Sequence, residues 1–133
     1  MVTLGAPTPA MPTRDIERAL RFYEGVLGFE RVVAEEGFAL LRRDDASLTL
    51  WGATDDSWQE RTDWQRPVCS GAESFIAGTA SFRLQVDGID ELYEQCRGHV
   101  HPNALLDATE WGTREFGALD PDGNLIAFWE RVA

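Results

Sequence analysis

The chain reads as an α+β domain built from two βαβββ modules, and three observations carry that reading. Helical spacing of apolar residues appears twice, in "IERALRFYEGVL" (16–27) and in "GIDELYEQCRG" (88–98). Each helix follows a short strand ending in an acidic residue, Asp15 or Asp87, about half the chain apart. Three strand-like runs then follow each helix. A repeat of this size implies two similar modules, neither able to cover its own sheet alone, packed into one domain.

The elements follow in order. Pro7, Pro9 and Pro12 interrupt the N-terminal strand and confine it to a sheet edge or to a crossover between chains, because proline has no N–H for a ladder. In the first helix Ile16, Ala19, Leu20, Tyr23, Val26 and Leu27 share a face, with Asp15 as N-cap and Gly28 as the stop. "FERVVAE" (29–35), "FALLRR" (38–43) and "SLTLWGA" (47–53) read as strands, separated by turns at Gly37 and at Asp44 and Asp45. Residues 54–79 are polar, rich in turn formers, and carry Trp58, Trp64 and Phe75. A connector of that length in a compact domain points to a functional or interface loop. In the second module Ile89, Leu92, Tyr93 and Cys96 form the helical stripe, closed by Gly98. A weak strand near 103–109 precedes "TREFGAL" (113–119) and "LIAFWERV" (125–132), the last two joined by a hairpin turn at "DPDGN". The expected organisation is a single domain over 1–133, with module one about 1–53, the connector 54–79 and module two about 80–133.

With 133 residues, 44% of them apolar, the chain can bury a core without disulfides. Cys69 and Cys96 fit no CxxC pattern and read as free thiols in a reducing compartment. Neither a signal peptide nor a membrane span is expected, since the N-terminus lacks a charged start before an apolar stretch and apolar runs are short. That leaves a cytoplasmic protein as the expectation. A net charge of −11 disfavours nucleic acid and anionic membranes, and either keeps the chain soluble or draws a cationic partner. The sequence holds no GxSxG, HExxH, P-loop or dinucleotide fingerprint. "DPDG" lacks the third oxygen-bearing residue and distal Glu of a calcium loop.

"RDIERALRFYEGVLGFE" at the front, "VDGIDELYEQC" in the middle and "WGTREFGALDPDGNLIAFWE" at the end together resemble the vicinal oxygen chelate superfamily. Within it the chain is similar to the bleomycin-resistance proteins and their glyoxalase-like relatives, over nearly its whole length. The resemblance implies a curved, cup-shaped mixed sheet with helices on its outer face. Enzymes of that superfamily place one metal ligand on each of four strands, pointing into the cup. The matching positions here are Thr8, Thr49, Ser81 and Ala127, none of them an imidazole or a carboxylate. Hydroxyls alone hold divalent metals poorly, and the enzymes need that metal as a Lewis acid. The resemblance therefore implies a cup with no metal or cofactor, in a protein that holds a ligand without transforming it.

Strand alternation supplies the lining of that cup. If Thr49 points in, so do Ser47 and Trp51. If Ser81 points in, Arg83 and Gln85 follow, and Ala127 brings Leu125 and Trp129. Such a surface suits a large, flat, polar molecule. Trp51 and Trp129 either fill the concave face or meet the ligand. Trp58 and Trp64, in a polar connector, point to a ligand site or a dimer interface. By the resemblance Trp111 and Phe38 match aromatics of the drug groove. Arg114, beside Trp111, has the reach to meet a ligand carboxamide; Glu110, Arg114 and Glu115 otherwise read as a solvated hairpin. The expected function is sequestration of a bleomycin-type glycopeptide, or another cationic or planar antibiotic, in grooves of a homodimer. One competing expectation is a glyoxalase- or dioxygenase-like metalloenzyme with its site moved to His99, His101 and Glu110, although the two histidines also read as a loop after a helix end. The other is an interaction domain with a vestigial cup.

Overall fold

The computed structural model describes residues 1–53 and 76–132, so the expectations for Trp58, Trp64, Cys69 and Phe75 lie outside the described residues. Module one comprises β1 (Ala10–Thr13), α1 (Ile16–Gly25), β2 (Glu30–Glu35), β3 (Phe38–Arg43) and β4 (Ala46–Gly52). Module two comprises β5 (Ser81–Gln85), α2 (Ile89–Gln95), a short 3-10 turn at Arg97–His99, β6 (Asp107–Ala108), β7 (Thr113–Leu119) and β8 (Leu125–Arg131). The strands form two four-stranded sheets, one per module, ordered β1-β4-β3-β2 and β5-β8-β7-β6, in keeping with the expected α+β fold of two βαβββ modules. Each sheet is mixed: β1 runs parallel to β4 and β5 parallel to β8, while the remaining pairs are antiparallel. Among the described residues no helix is long and apolar enough to cross a membrane.

Local chemistry explains most boundaries. Pro12 sits in β1, an edge strand, where its missing N–H breaks no interior ladder. Asp15 is extended, at φ −150°, and its carboxylate accepts from the Arg18 N–H at 3.1 Å, which caps α1. Beyond α1 the chain reverses at Gly28, whose φ of +72° suits glycine. Asp87 does not do for α2 what Asp15 does for α1. Gly88 precedes that helix, and the Glu130 carboxylate of β8 receives the Gly88 and Ile89 N–H groups at 2.9 and 3.4 Å. A carboxylate from another strand thus meets the positive end of the helix.

Alternation sorts the strands as expected. Ala39, Leu41, Leu48 and Leu50 of one sheet and Phe116, Ala118, Ile126 and Phe128 of the other are buried. They join Ala19, Leu20 and Tyr23 of α1 and Ile89, Leu92 and Cys96 of the second module in one apolar core. Burying side chains of the larger kinds stabilises by about 1.5–3 kcal/mol each. The modules also meet through the Phe22 ring, edge-on to His99 at 5.0 Å.

The "DPDGN" turn does more than close a hairpin. Asp120, Asp122 and Asn124 are buried and fasten module two to the start of module one. Asp122 accepts from the Thr13 hydroxyl (2.6 Å), the Arg14 N–H (2.9 Å) and the Arg18 guanidinium (3.2 Å). Asp120 accepts from the Tyr23 hydroxyl at 2.8 Å and from the N–H groups of Asp122 and Asn124, both at 2.9 Å. Burial first, and the Asp120 carboxylate second, hold the Tyr23 phenol well above its ordinary value, so it stays a neutral donor. The Asn124 carboxamide accepts from the Gly78 and Ala80 N–H groups at 2.8 and 3.2 Å and donates to the Pro12 carbonyl (2.8 Å) and to Asp120 (2.9 Å). Buried polar groups are tolerated only when paired in this way.

Candidate functional site

On the faces of the two sheets opposite the core most described side chains are half-buried or exposed. In module one the register pairs Phe38 with Trp51, Leu40 with Thr49 and Arg42 with Ser47, which sets Phe38, Ser47, Thr49 and Trp51 on one face. The Phe38 and Trp51 rings meet edge to face at 4.7 Å. The Trp51 indole N–H donates to the Thr49 hydroxyl at 3.1 Å, and that hydroxyl donates to the Pro9 carbonyl at 3.5 Å. Thr49 therefore orients an indole, with its single proton already directed to a backbone oxygen.

On the second sheet Ser81, Arg83 and Gln85 stand beside Leu125, Ala127 and Trp129, with Gly117 and Glu115 on the other flank of β8. Arg83 reaches across β8 to Glu115 with two hydrogen bonds, 2.7 and 3.2 Å. Its guanidinium carbon lies 5.7 Å from the Trp129 ring centre, and that of Arg131 lies 5.9 Å away, both within cation–π range. Glu115 also accepts from the Thr113 hydroxyl at 2.6 Å and from the Trp111 indole N–H at 3.0 Å. The bond from Arg83, aided by Thr113 and Trp111 and opposed by burial, holds the Glu115 carboxyl down at about 2. Trp111 is 70% exposed, so its ring is open to solvent even though its N–H is tied.

The sequence-expected residues thus fall into two groups, one on each sheet. Phe38, Ser47, Thr49 and Trp51 share the first face, and Arg83 and Trp111 the second. Arg114 belongs to neither. Its cross-strand partner is Glu130, on the side facing α2, and its guanidinium makes a two-pronged ion pair with Asp90 at 2.7 and 2.8 Å. Alternation along β7 puts Arg114 and Glu115 on opposite sides, so any contact of Arg114 with a ligand carboxamide would lie on the helix side. Glu115, expected in a solvated hairpin, instead gathers Arg83, Trp111 and Thr113. Its signal was the hairpin register itself: a turn at 120–124 sets position 115 opposite Trp129.

Thr8, Thr49, Ser81 and Ala127, which the resemblance sets at metal-ligand positions, are not imidazole or carboxylate residues. Thr8 lies exposed ahead of β1, and Thr49 is engaged as described. The relocated alternative does not assemble either: among the described residues no three His, Cys, Asp or Glu side chains gather into a metal-holding group. His99 packs against Phe22, and the His101 Nδ1 accepts from the Asn103 N–H at 2.9 Å.

Two βαβββ modules, each presenting an aromatic, polar face backed by a shared core, define the paired-module class of α+β proteins. The chain belongs to the Glyoxalase/Bleomycin resistance protein/Dioxygenase superfamily, whose family model matches residues 6–128. The bleomycin resistance protein of Geobacillus stearothermophilus is 47% identical over 126 residues, covering 93% of this chain and 95% of that protein. The bleomycin resistance protein of Klebsiella pneumoniae is 28% identical over 130 residues, covering 90% of this chain and 86% of that one. Among solved structures, a bleomycin-binding protein complexed with bleomycin superposes with a TM-score of 0.64 at 25% identity, over 96% of this chain and 99% of that one. A lactoylglutathione lyase from Agrobacterium tumefaciens superposes with a TM-score of 0.69 at 21% identity, over 96% of this chain and 94% of that one, and so shares the fold. Fold alone does not separate binding from catalysis.

Proposed function

We propose that this chain sequesters bleomycin-type glycopeptide antibiotics in grooves of a homodimer and leaves the drug chemically unchanged. The observation that carries the reading is the 47% identity, along nearly the full length of both chains, to a bleomycin resistance protein. The geometry agrees with it. Phe38 and Trp51 on one sheet, and Trp111 and Trp129 on the other, offer indole and phenyl surfaces for stacking a planar ligand, with Ser47 and Arg83 as polar neighbours. Closing both faces against a second copy by two-fold symmetry gives two equivalent grooves. Trp58 and Trp64 of the connector are proposed to contribute there. The net charge of −11 speeds the approach of a cationic drug, more at low salt than at high. The chain is proposed to act in the cytoplasm, and to be no enzyme: Thr8, Thr49, Ser81 and Ala127 offer no donor set for the metal that the family's catalysts use.

The test is a titration with metal-free bleomycin, followed by heat and by tryptophan fluorescence. Saturable binding of one drug per protomer is expected, with sedimentation showing a dimer and mass spectrometry recovering intact drug. Absence of heat and of fluorescence change at high micromolar drug removes bleomycin as the ligand. A modified drug removes sequestration.

A further inference from the structure

We propose that Glu115 is a positioning residue: its carboxylate ties Trp111 and Arg83 into a preset platform beside Trp129, and ligand affinity depends on that tie without contact between Glu115 and the ligand. This rests on the ligand-holding reading above and deepens it.

Glu115 accepts four hydrogen bonds from three side chains of its own sheet face. One oxygen takes the Arg83 Nη1, and the other takes the Arg83 Nη2, the Thr113 hydroxyl and the Trp111 indole N–H. A carboxylate offers about four acceptor sites, and four donors from the chain itself already lie on this one, three of them on a single oxygen, so its charge is spent mainly on its own neighbours. What the carboxylate does is hold its donors still. An indole as exposed as that of Trp111 samples several rotamers unless something fixes it. The bond to Glu115 selects one. The same carboxylate holds the Arg83 guanidinium over the Trp129 ring, the ring directly cross-strand from Glu115. Thr113, two residues away on the same face, fixes the carboxylate in turn. The Trp111 indole and the Arg83 guanidinium over Trp129 are therefore set before a ligand arrives, which removes an ordering cost from binding. The long-range charge of the chain draws a cation in, while the contacts at the platform are ring faces.

The experiment compares the wild type with Glu115→Gln, Trp111→Phe and the double variant, by titration with metal-free bleomycin and by proton–nitrogen NMR spectra of the indole groups without drug. Glu115→Gln is expected to weaken binding about 5- to 20-fold, in line with freeing one or two side chains. In the Trp111→Phe background that loss is expected to shrink at least threefold, because the ring no longer carries an N–H to tie. In the drug-free protein the Trp111 indole signal, recognised by its absence from Trp111→Phe, shifts upfield and exchanges faster with water in Glu115→Gln. Equal losses in both backgrounds, or an unmoved indole signal, overturn the positioning role. A wild type that ignores bleomycin overturns the ligand reading together with the affinity half of this proposal, and the indole signal still decides whether Glu115 sets Trp111. Should Glu115→Gln fail to fold, Arg83→Lys replaces it: loss of the two-pronged fork is expected to move the same signal, and an unmoved one refutes the tie.

Discussion

Replacing Asn124 by alanine removes the side chain that joins three segments of the chain. Asn124 is fully buried, and its carboxamide serves the Gly78 and Ala80 N–H groups, the Pro12 carbonyl and Asp120. The Asp120 oxygen that loses the Asn124 amide still accepts from the Tyr23 hydroxyl, so the groups left without that partner are three backbone ones. An unpaired buried polar group costs about 1–3 kcal/mol. The lower half of that range applies, because the space vacated by the carboxamide admits a water. The expected loss is about 3–5 kcal/mol, a large share of the roughly 5–15 kcal/mol typical of a single domain. In a chain of 133 residues this lowers the melting temperature by about 10–20 °C. Urea unfolding followed by tryptophan fluorescence and by circular dichroism measures it, with the exposed residue Asn103→Ala as a control expected within about 0.5 kcal/mol of wild type. A loss below about 1 kcal/mol for Asn124→Ala would refute the view that this turn fastens the two modules.

Two further expectations concern charge. The Glu115 carboxyl ionises at about 2 in the folded chain against an ordinary 4.5, so its folded value is depressed. Its contribution to stability is complete above about 4.5 and disappears as pH falls from there toward 2; urea midpoints over that range should fall less steeply in Glu115→Gln than in wild type, and parallel curves would contradict the assignment. Arg114→Ala breaks an exposed ion pair with Asp90 on the helix side, and such pairs contribute little. It should leave both the urea midpoint and bleomycin affinity close to wild type, and a large loss of affinity would return Arg114 to the groove.

Periodicity made much of the fold legible. Alternation alone separates Leu48 and Leu50 from Thr49 and Trp51, and Ile126 and Phe128 from Ala127 and Trp129, because a strand's two faces see different solvents. The cap at Asp15 was legible because its partner lies three residues away. What stayed hidden depends on distant partners. Asp120, Asp122 and Asn124 are the residues a turn would choose for local reasons, so nothing in their identity reveals bonds to Pro12, Thr13 and Tyr23. Glu130 takes over the start of α2 from a strand some forty residues on, which no local motif announces. In the candidate site Arg114 is near Trp111 in sequence, but the pleat of β7 sends it to the face opposite Glu115, where Asp90 holds it.

The fastening between Thr13 and Asp122 spans 109 positions of the chain. During synthesis, at about 5–20 residues per second, the first module is complete in sequence several seconds before the turn that secures it leaves the ribosome. Through that interval Thr13, Arg14 and Tyr23 are hydrated by water in place of Asp120 and Asp122, and the apolar side of α1 has no second module against it. A nascent chain stalled in the connector is consequently a substrate for chaperones and proteases, and folding is committed only once the turn at 120–124 has emerged.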